Sequence, residues 1–124
     1  MIFTEEVNPK YHEAESLKIA YVNDLTSEDV LVCFSGSSTY VFFDFDKEGF
    51  CRVSSHDAIK SNGRRRFPGP VKARILGSNL GDSIIFANQI IKNTSLDIMY
   101  FDVKRNKFRS LTTSKIKEII LDIA

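Results

Sequence analysis

The sequence predicts an α+β domain dominated by strands: a mostly antiparallel sheet of roughly six to eight strands, with a C-terminal amphipathic helix packed on it. Three observations carry this expectation. Short apolar–polar alternations recur at Leu17–Val22 and Val71–Leu76, and longer apolar-rich runs cover 83–91 and 96–103. Polar pieces of loop size separate them, with no linker, internal repeat or low-complexity tract. Finally, Ile116, Ile119, Ile120 and Ile123 follow one another at i, i+3, i+4, i+7, the spacing of a single helical stripe. Thr112-Thr113-Ser114 stands just ahead of them and supplies an N-cap. The 124 residues suit one domain. With 43% hydrophobic and 27% charged residues, disordered and collagen-like classes are excluded.

Taken in order, residues 1–16 read either as an irregular arm or as a short helix over Pro9–Ser16, since Asn8-Pro9-Lys10 resembles a helix start. Leu17–Val22 reads as a half-buried strand, with Leu17, Ile19 and Tyr21 on one face and Lys18 and Ala20 on the other. Asp24–Asp29 is a polar turn, and wholly apolar Val30–Phe34 is a central strand buried on both faces. Thr39–Ser55 is a hairpin around Asp46-Lys47-Glu48-Gly49, with Gly49 at positive φ. Pairing Asp46 with Phe50 sets Phe45 opposite Cys51 and Phe43 opposite Val53 on the buried face. Phe42, Asp44, Arg52 and Ser54 then share the other face, with Asp44 across from Arg52.

Ser55–Asn62 reads as a helical turn ending at Gly63. In Val71–Leu76, Val71, Ala73 and Ile75 point inward while Lys72 and Arg74 point out. Ser83–Ile91 and Leu96–Val103 are long strands joined by an Asn93-Thr94-Ser95 turn, and Lys104–Lys107 turns the chain into Phe108–Leu111. The stretch Asp97–Thr113 resembles a hairpin of a β-propeller blade. A propeller needs at least about four such four-stranded blades, so the resemblance extends to the hairpin alone.

Charge is divided along the chain. Residues 1–62 hold five bases against eleven acids (−6), and residues 63–124 hold twelve bases against five acids (+7). The N-terminus has no basic and apolar pair of regions, so no signal peptide is expected. No stretch is long and apolar enough to span a bilayer as a helix. Cys33 and Cys51 then read as free buried thiols of a cytoplasmic chain.

Few residues point to chemistry. His56-Asp57 follows Cys51 and Ser54-Ser55, but no glycine elbow surrounds a nucleophile. His12 with Glu13 and Glu15 lacks the second histidine of a helical zinc site. Gly77–Gly81 lacks the lysine and third glycine of phosphate loops. No enzyme, cofactor or metal site is therefore expected. Two charged clusters remain as candidate partner-binding residues. Asp44, Asp46 and Glu48 form an acidic hairpin tip that suits a basic partner. Arg64, Arg65, Arg66 and Phe67, followed by Lys72 and Arg74, combine phosphate-gripping cations with an aromatic ring. Lys104, Arg105, Lys107 and Arg109 make a second basic tip.

The reading is a non-catalytic, protein-binding domain: a small bacterial immunity- or antitoxin-type inhibitor that neutralises a cognate toxin by binding it. Phe42 and Phe67 are its aromatic anchors. The alternative is a nucleic-acid-binding domain using the Arg64–Arg66 loop.

Overall fold

The computed structural model describes residues 14–36, 38–55, 69–81 and 85–123. These form strands β1 (Ala14–Leu17), β2 (Ile19–Tyr21), β3 (Asp29–Ser35), β4 (Thr39–Phe43), β5 (Phe50–Ser55), β6 (Val71–Asn79), β7 (Ile85–Ala87), β8 (Gln89–Ile91), β9 (Ser95–Asp102), β10 (Lys107–Thr112) and β11 (Ile116–Ile123). A 3-10 turn covers Val22–Asp24. The main sheet runs β1-β11-β3-β4-β5-β6-β9-β10, with β7 beside β6, and β2 pairs separately with β8. Every pairing is antiparallel.

The antiparallel pairing agrees with expectation, but the main sheet has nine strands rather than six to eight, and the α+β class does not hold. The described residues are nearly all sheet, and the expected C-terminal helix is strand β11, held between β1 and β3. Its isoleucines are β-branched, which restricts χ1 in a helix and favours a pleated surface. Their helix-like spacing has another origin. The register against β3 shifts between Ile116 and Glu118, so one extra residue sits in the ladder as a bulge. That insertion returns Ile116 and Ile119 to the same face, and both are fully buried. Thr113 caps no helix. Its N–H donates to the Leu96 carbonyl at 2.9 Å, and its Oγ1 accepts the Leu96 N–H at 3.0 Å.

These bonds continue the β9–β10 ladder past Thr112. Beyond them, the Asn93 N–H donates to the Ile116 carbonyl (2.6 Å) and the Ile116 N–H to the Thr94 carbonyl (2.8 Å). Residues 107–123 therefore behave as one bent strand that leaves β9 and joins β3. The sheet is thereby closed into a ring, β3-β4-β5-β6-β9 and back through β10–β11. Its inner face is one apolar cluster that includes Leu31, Phe42, Val53, Ile75, Ile98 and Ile119. The small β2–β8 sheet adds Ala20 and Ile90 to that cluster, and the turn after β2 adds Val22.

Several expected faces are corrected. In the expected strand over Leu17–Val22 it is Ala20 and Val22 that are buried, whereas Ile19 and Tyr21 are exposed. In β3, Leu31 and Cys33 are fully buried while Val30, Val32 and Phe34 are only half-buried. The expected long strand over 83–91 breaks at Asn88 (φ 59) into β7 and β8, which have different partners. Ala14–Leu17 is strand rather than helix, the rest of the N-terminal arm lies outside the described residues, and so does the turn expected after Ser55. The inward set Val71, Ala73 and Ile75 holds.

The hairpin tip is as expected but its stem is not. The Asp46 N–H donates to the Phe50 carbonyl at 2.9 Å, and Gly49 sits at φ 91. Asp44, however, adopts φ 56, and beyond it Phe43 faces Arg52 and Phe42 faces Val53. The stem is one residue out of step with the tip, which marks a bulge at residues 44–45. A one-residue slip exchanges the two faces. Phe42 and Phe45 consequently both point into the core, at 0% and 4% exposure.

Candidate functional site

The face of β5, β6, β9 and β10 that points away from the core alternates with the buried residues Cys51, Val53, Ala73 and Ile98. It presents Phe50 and Arg52 from β5, Lys72 and Arg74 from β6, Phe101 from β9 and Phe108 from β10. Register brings them together: Phe50 faces Arg74, Arg52 faces Lys72, and Phe101 faces Phe108.

Phe50 is the centre of this surface. Lys72 Nζ lies 4.5 Å and Arg74 Cζ 4.8 Å from its ring centroid. Each cation–π contact contributes on the order of 0.5–1 kcal/mol at an exposed site. The Phe108 ring lies 6.2 Å from Phe50 and meets Phe101 edge-on at 5.3 Å and 74°, a favoured aromatic geometry. Arg74 also donates to the Glu48 carbonyl, so its guanidinium is fixed between backbone and ring. Gly49 leaves room for it, because a Cβ there would fall 2.5 Å from an Arg74 nitrogen. Arg52 donates to the Pro70 carbonyl at 3.0 Å. Aromatic and arginine side chains held in place before contact are the residues that dominate binding surfaces.

The β9–β10 turn adds charge. Asp102 accepts from the Arg105 backbone (3.3 Å), the Arg105 guanidinium (3.0 Å) and Arg109 (3.4 Å). Partial desolvation raises its pKa, but the Arg105 and Arg109 hydrogen bonds outweigh it and hold the carboxyl below its usual range. Residues 102–109 thus hold Lys104, Arg105, Lys107 and Arg109 against one acid.

The sequence-derived candidates divide. Lys72 and Arg74 lie at the centre of the cationic–aromatic face. Arg64, Arg65, Arg66 and Phe67 lie outside the described residues, as do His12, His56 and Asp57. Phe42 is fully buried, so its ring has no surface to offer a partner; the bulge at residues 44–45 turned it inward. Asp46 is committed to the turn, since its Oδ1 accepts the Glu48 and Phe50 N–H groups at 2.9 Å each. Asp44 and Glu48 are exposed, but the expected Asp44–Arg52 pairing is replaced by Phe43–Arg52. Among the described residues no group of three or more His, Cys, Asp or Glu is placed to hold a metal ion. A half-open cleft of about 680 Å³ lies between the Val22–Ser27 segment and the Phe45–Gly49 tip. Its titratable lining residues, among those described, are Asp46 and Lys47.

Phe50, Phe101 and Phe108 were not identified from sequence. Their signal is the alternation of 96–103 together with the Lys104–Lys107 turn, which places Phe101 opposite Phe108 once the hairpin is closed. No protein-family model matches the chain, and no curated protein or solved structure matches it either. No helix among the described residues is long and apolar enough to cross a membrane.

Proposed function

We propose that the chain is a non-catalytic, protein-binding domain and that the β5–β6–β9–β10 face is its contact surface. In the finer reading it is a small bacterial immunity- or antitoxin-type inhibitor that docks an acidic surface of a cognate toxin and blocks it sterically. One observation carries this: the Phe50 ring clamped by Lys72 and Arg74 beside the Phe101–Phe108 pair. Such a patch supplies aromatic anchoring, while its cations select an acidic partner and speed encounter. The acidic tip supports the opposite polarity less well, because Asp46 is already bonded within its own turn.

The test is affinity capture from the native host with the wild-type chain and with Lys72→Glu/Arg74→Glu, followed by mass spectrometry. Capture of one stoichiometric protein by wild type, and its loss with the double variant, is the expected result. An unchanged partner on the double variant refutes the surface assignment. Nucleic acid in the eluate, released at high salt, transfers the surface to the nucleic-acid reading, since stacking rings and cations also suit single strands.

A further inference from the structure

The geometry points to the outer edge of β10 as a docking edge that accepts an extended segment of the partner as an added strand, in which carboxylates alternate with apolar residues. The inference rests on the reading of the β5–β6–β9–β10 face as the contact surface and specifies how a partner engages it.

β10 ends the sheet and, among the described residues, pairs only with β9. Which of its backbone groups are unpaired follows from the ladder. The Thr113 N–H bonds to the Leu96 carbonyl. In an antiparallel pair, bonding alternates from residue to residue. Leu111, Arg109 and Lys107 therefore turn their N–H and C=O groups toward β9, and Thr112, Ser110 and Phe108 turn theirs outward. Residues 107–110 are all exposed, so nothing described covers this row. An unpaired row of donors and acceptors is a template for another strand.

The side chains state what that strand must carry. Lys107 and Arg109 lie on one face of β10, and Phe108, Ser110 and Thr112 on the other. At that end of β10 the local balance is Lys104, Arg105, Lys107 and Arg109 against Asp102 alone. Asp102 already accepts from both arginines. Carboxylates on that side of an incoming strand meet an excess of cations. Residues on its other side meet Phe108, whose ring packs on Phe101 and lies 6.2 Å from Phe50. Apolar side chains fit there. The same charges disfavour a second copy of this chain, because two β10 edges would bring like charges together across the new ladder.

The test uses the full chain, isotope-labelled for amide hydrogen exchange. The probes are a short synthetic peptide alternating Glu with Val, the same peptide with Lys in place of Glu, and two versions of the Glu peptide methylated on alternate backbone nitrogens. The Glu peptide is expected to bind and to slow exchange at Phe108, Ser110 and Thr112, leaving Lys107, Arg109 and Leu111 unchanged. The Lys peptide is expected not to bind, and one of the two methylated versions to bind about tenfold more weakly or worse. Ser110→Pro removes an outward N–H and no bond to β9, and is expected to weaken binding to a similar degree. If that variant does not fold, the methylated peptides carry the same test.

No binding by the Glu peptide, binding without protection of the alternate amides, or equal binding of both methylated versions overturns the inference. The two readings fail separately. A host partner retained by Ser110→Pro but lost with Lys72→Glu/Arg74→Glu removes the edge and keeps the face. A partner retained by both variants removes the face and the edge together.

Discussion

Replacing Phe42 and Phe43 one at a time with alanine tests the bulge on which the hairpin stem depends. The two rings are adjacent, so local propensity hardly distinguishes them. Only register assigns one to the core. Phe42 is 0% exposed and faces Val53 within the apolar cluster. Phe43 is half-buried and faces Arg52 on the outer side. Truncating a fully buried phenylalanine costs about 3–5 kcal/mol through lost transfer energy and the cavity left behind. A half-buried ring beside an arginine stem loses only part of its transfer term, about 1 kcal/mol. At this chain length each kcal/mol lowers Tm by about 3–5 °C. Phe42→Ala is therefore expected to unfold roughly 10–25 °C below wild type, and Phe43→Ala within about 5 °C of it. Thermal and urea unfolding of the pair decide the matter. If Phe43→Ala is instead the more damaging of the two, the stem follows the tip register and there is no bulge. Asp44 supplies an independent check. At φ 56 it tolerates glycine, whereas Asp44→Val places a β-branched residue in the left-handed region and costs about 1–3 kcal/mol.

Other predictions follow from single contacts. Thr113→Val leaves the Leu96 N–H without its 3.0 Å acceptor and is expected to cost about 1–3 kcal/mol in urea unfolding, while Thr113→Ser retains most of the stability. Burial pushes the Cys33 and Cys51 thiols up to about 12, with Asp46 adding to the effect at Cys51. Native protein at pH 8 is therefore expected to resist iodoacetamide, and unfolded protein to be labelled at both sites. Because these folded values lie above the ordinary thiol value of 9.0, the unfolded chain loses its protons first. Stability is then fully present below about 9 and is lost as pH rises toward about 12. Equal stability at both ends of that window refutes thiol burial. Deleting Lys117, the extra residue of β11, leaves Ile116 and Ile119 two positions apart, a spacing that a regular strand keeps on one face, so the variant is expected to unfold cooperatively in calorimetry; loss of cooperative unfolding would show that Lys117 is not the extra residue.

Much of the sheet was legible because it depends on local rules. The Asp46–Gly49 tip, the inward set Val71, Ala73 and Ile75, and the turns at Asn93 (φ 71) and Asn106 (φ 54) follow from pleat alternation and from residues that tolerate positive φ. The two largest failures, the C-terminal helix and the face of Phe42, share one cause. A bulge adds one residue, and one residue is enough to turn strand period 2 into an apparent i, i+3 spacing. Ile116 and Ile119 show it in β11, where it imitated a helix. Phe42 and Phe45 show it in the hairpin, where it moved the expected partner-binding ring into the core. In β6 the register against β9 shifts between Ile75 and Gly77, and Ile75 and Ser78 are both buried. These insertions also bend strands, and a sheet that closes around its core needs bends. The residues that defeated the periodicity are thus the ones that allow the ring to form.

The cationic–aromatic face was only half legible for a different reason. Lys72 and Arg74 stood out as charge on an outward-facing alternation, and the nearest aromatic in sequence was Phe67. The ring that they clamp is Phe50, more than twenty residues away and brought alongside by the β5–β6 register. Strand order decides that meeting, and nothing in the composition of a strand states its neighbour. Once the order β5-β6-β9-β10 is known, the remainder follows from the pleat. Outward residues of β6 lie beside outward residues of β5, so Arg74 faces Phe50 directly and Lys72, one outward pair along, reaches the same ring. A one-residue slip of the β5–β6 register would therefore abolish the clamp with composition and charge untouched, because Lys72 would then face Val53 and Arg74 would face Cys51.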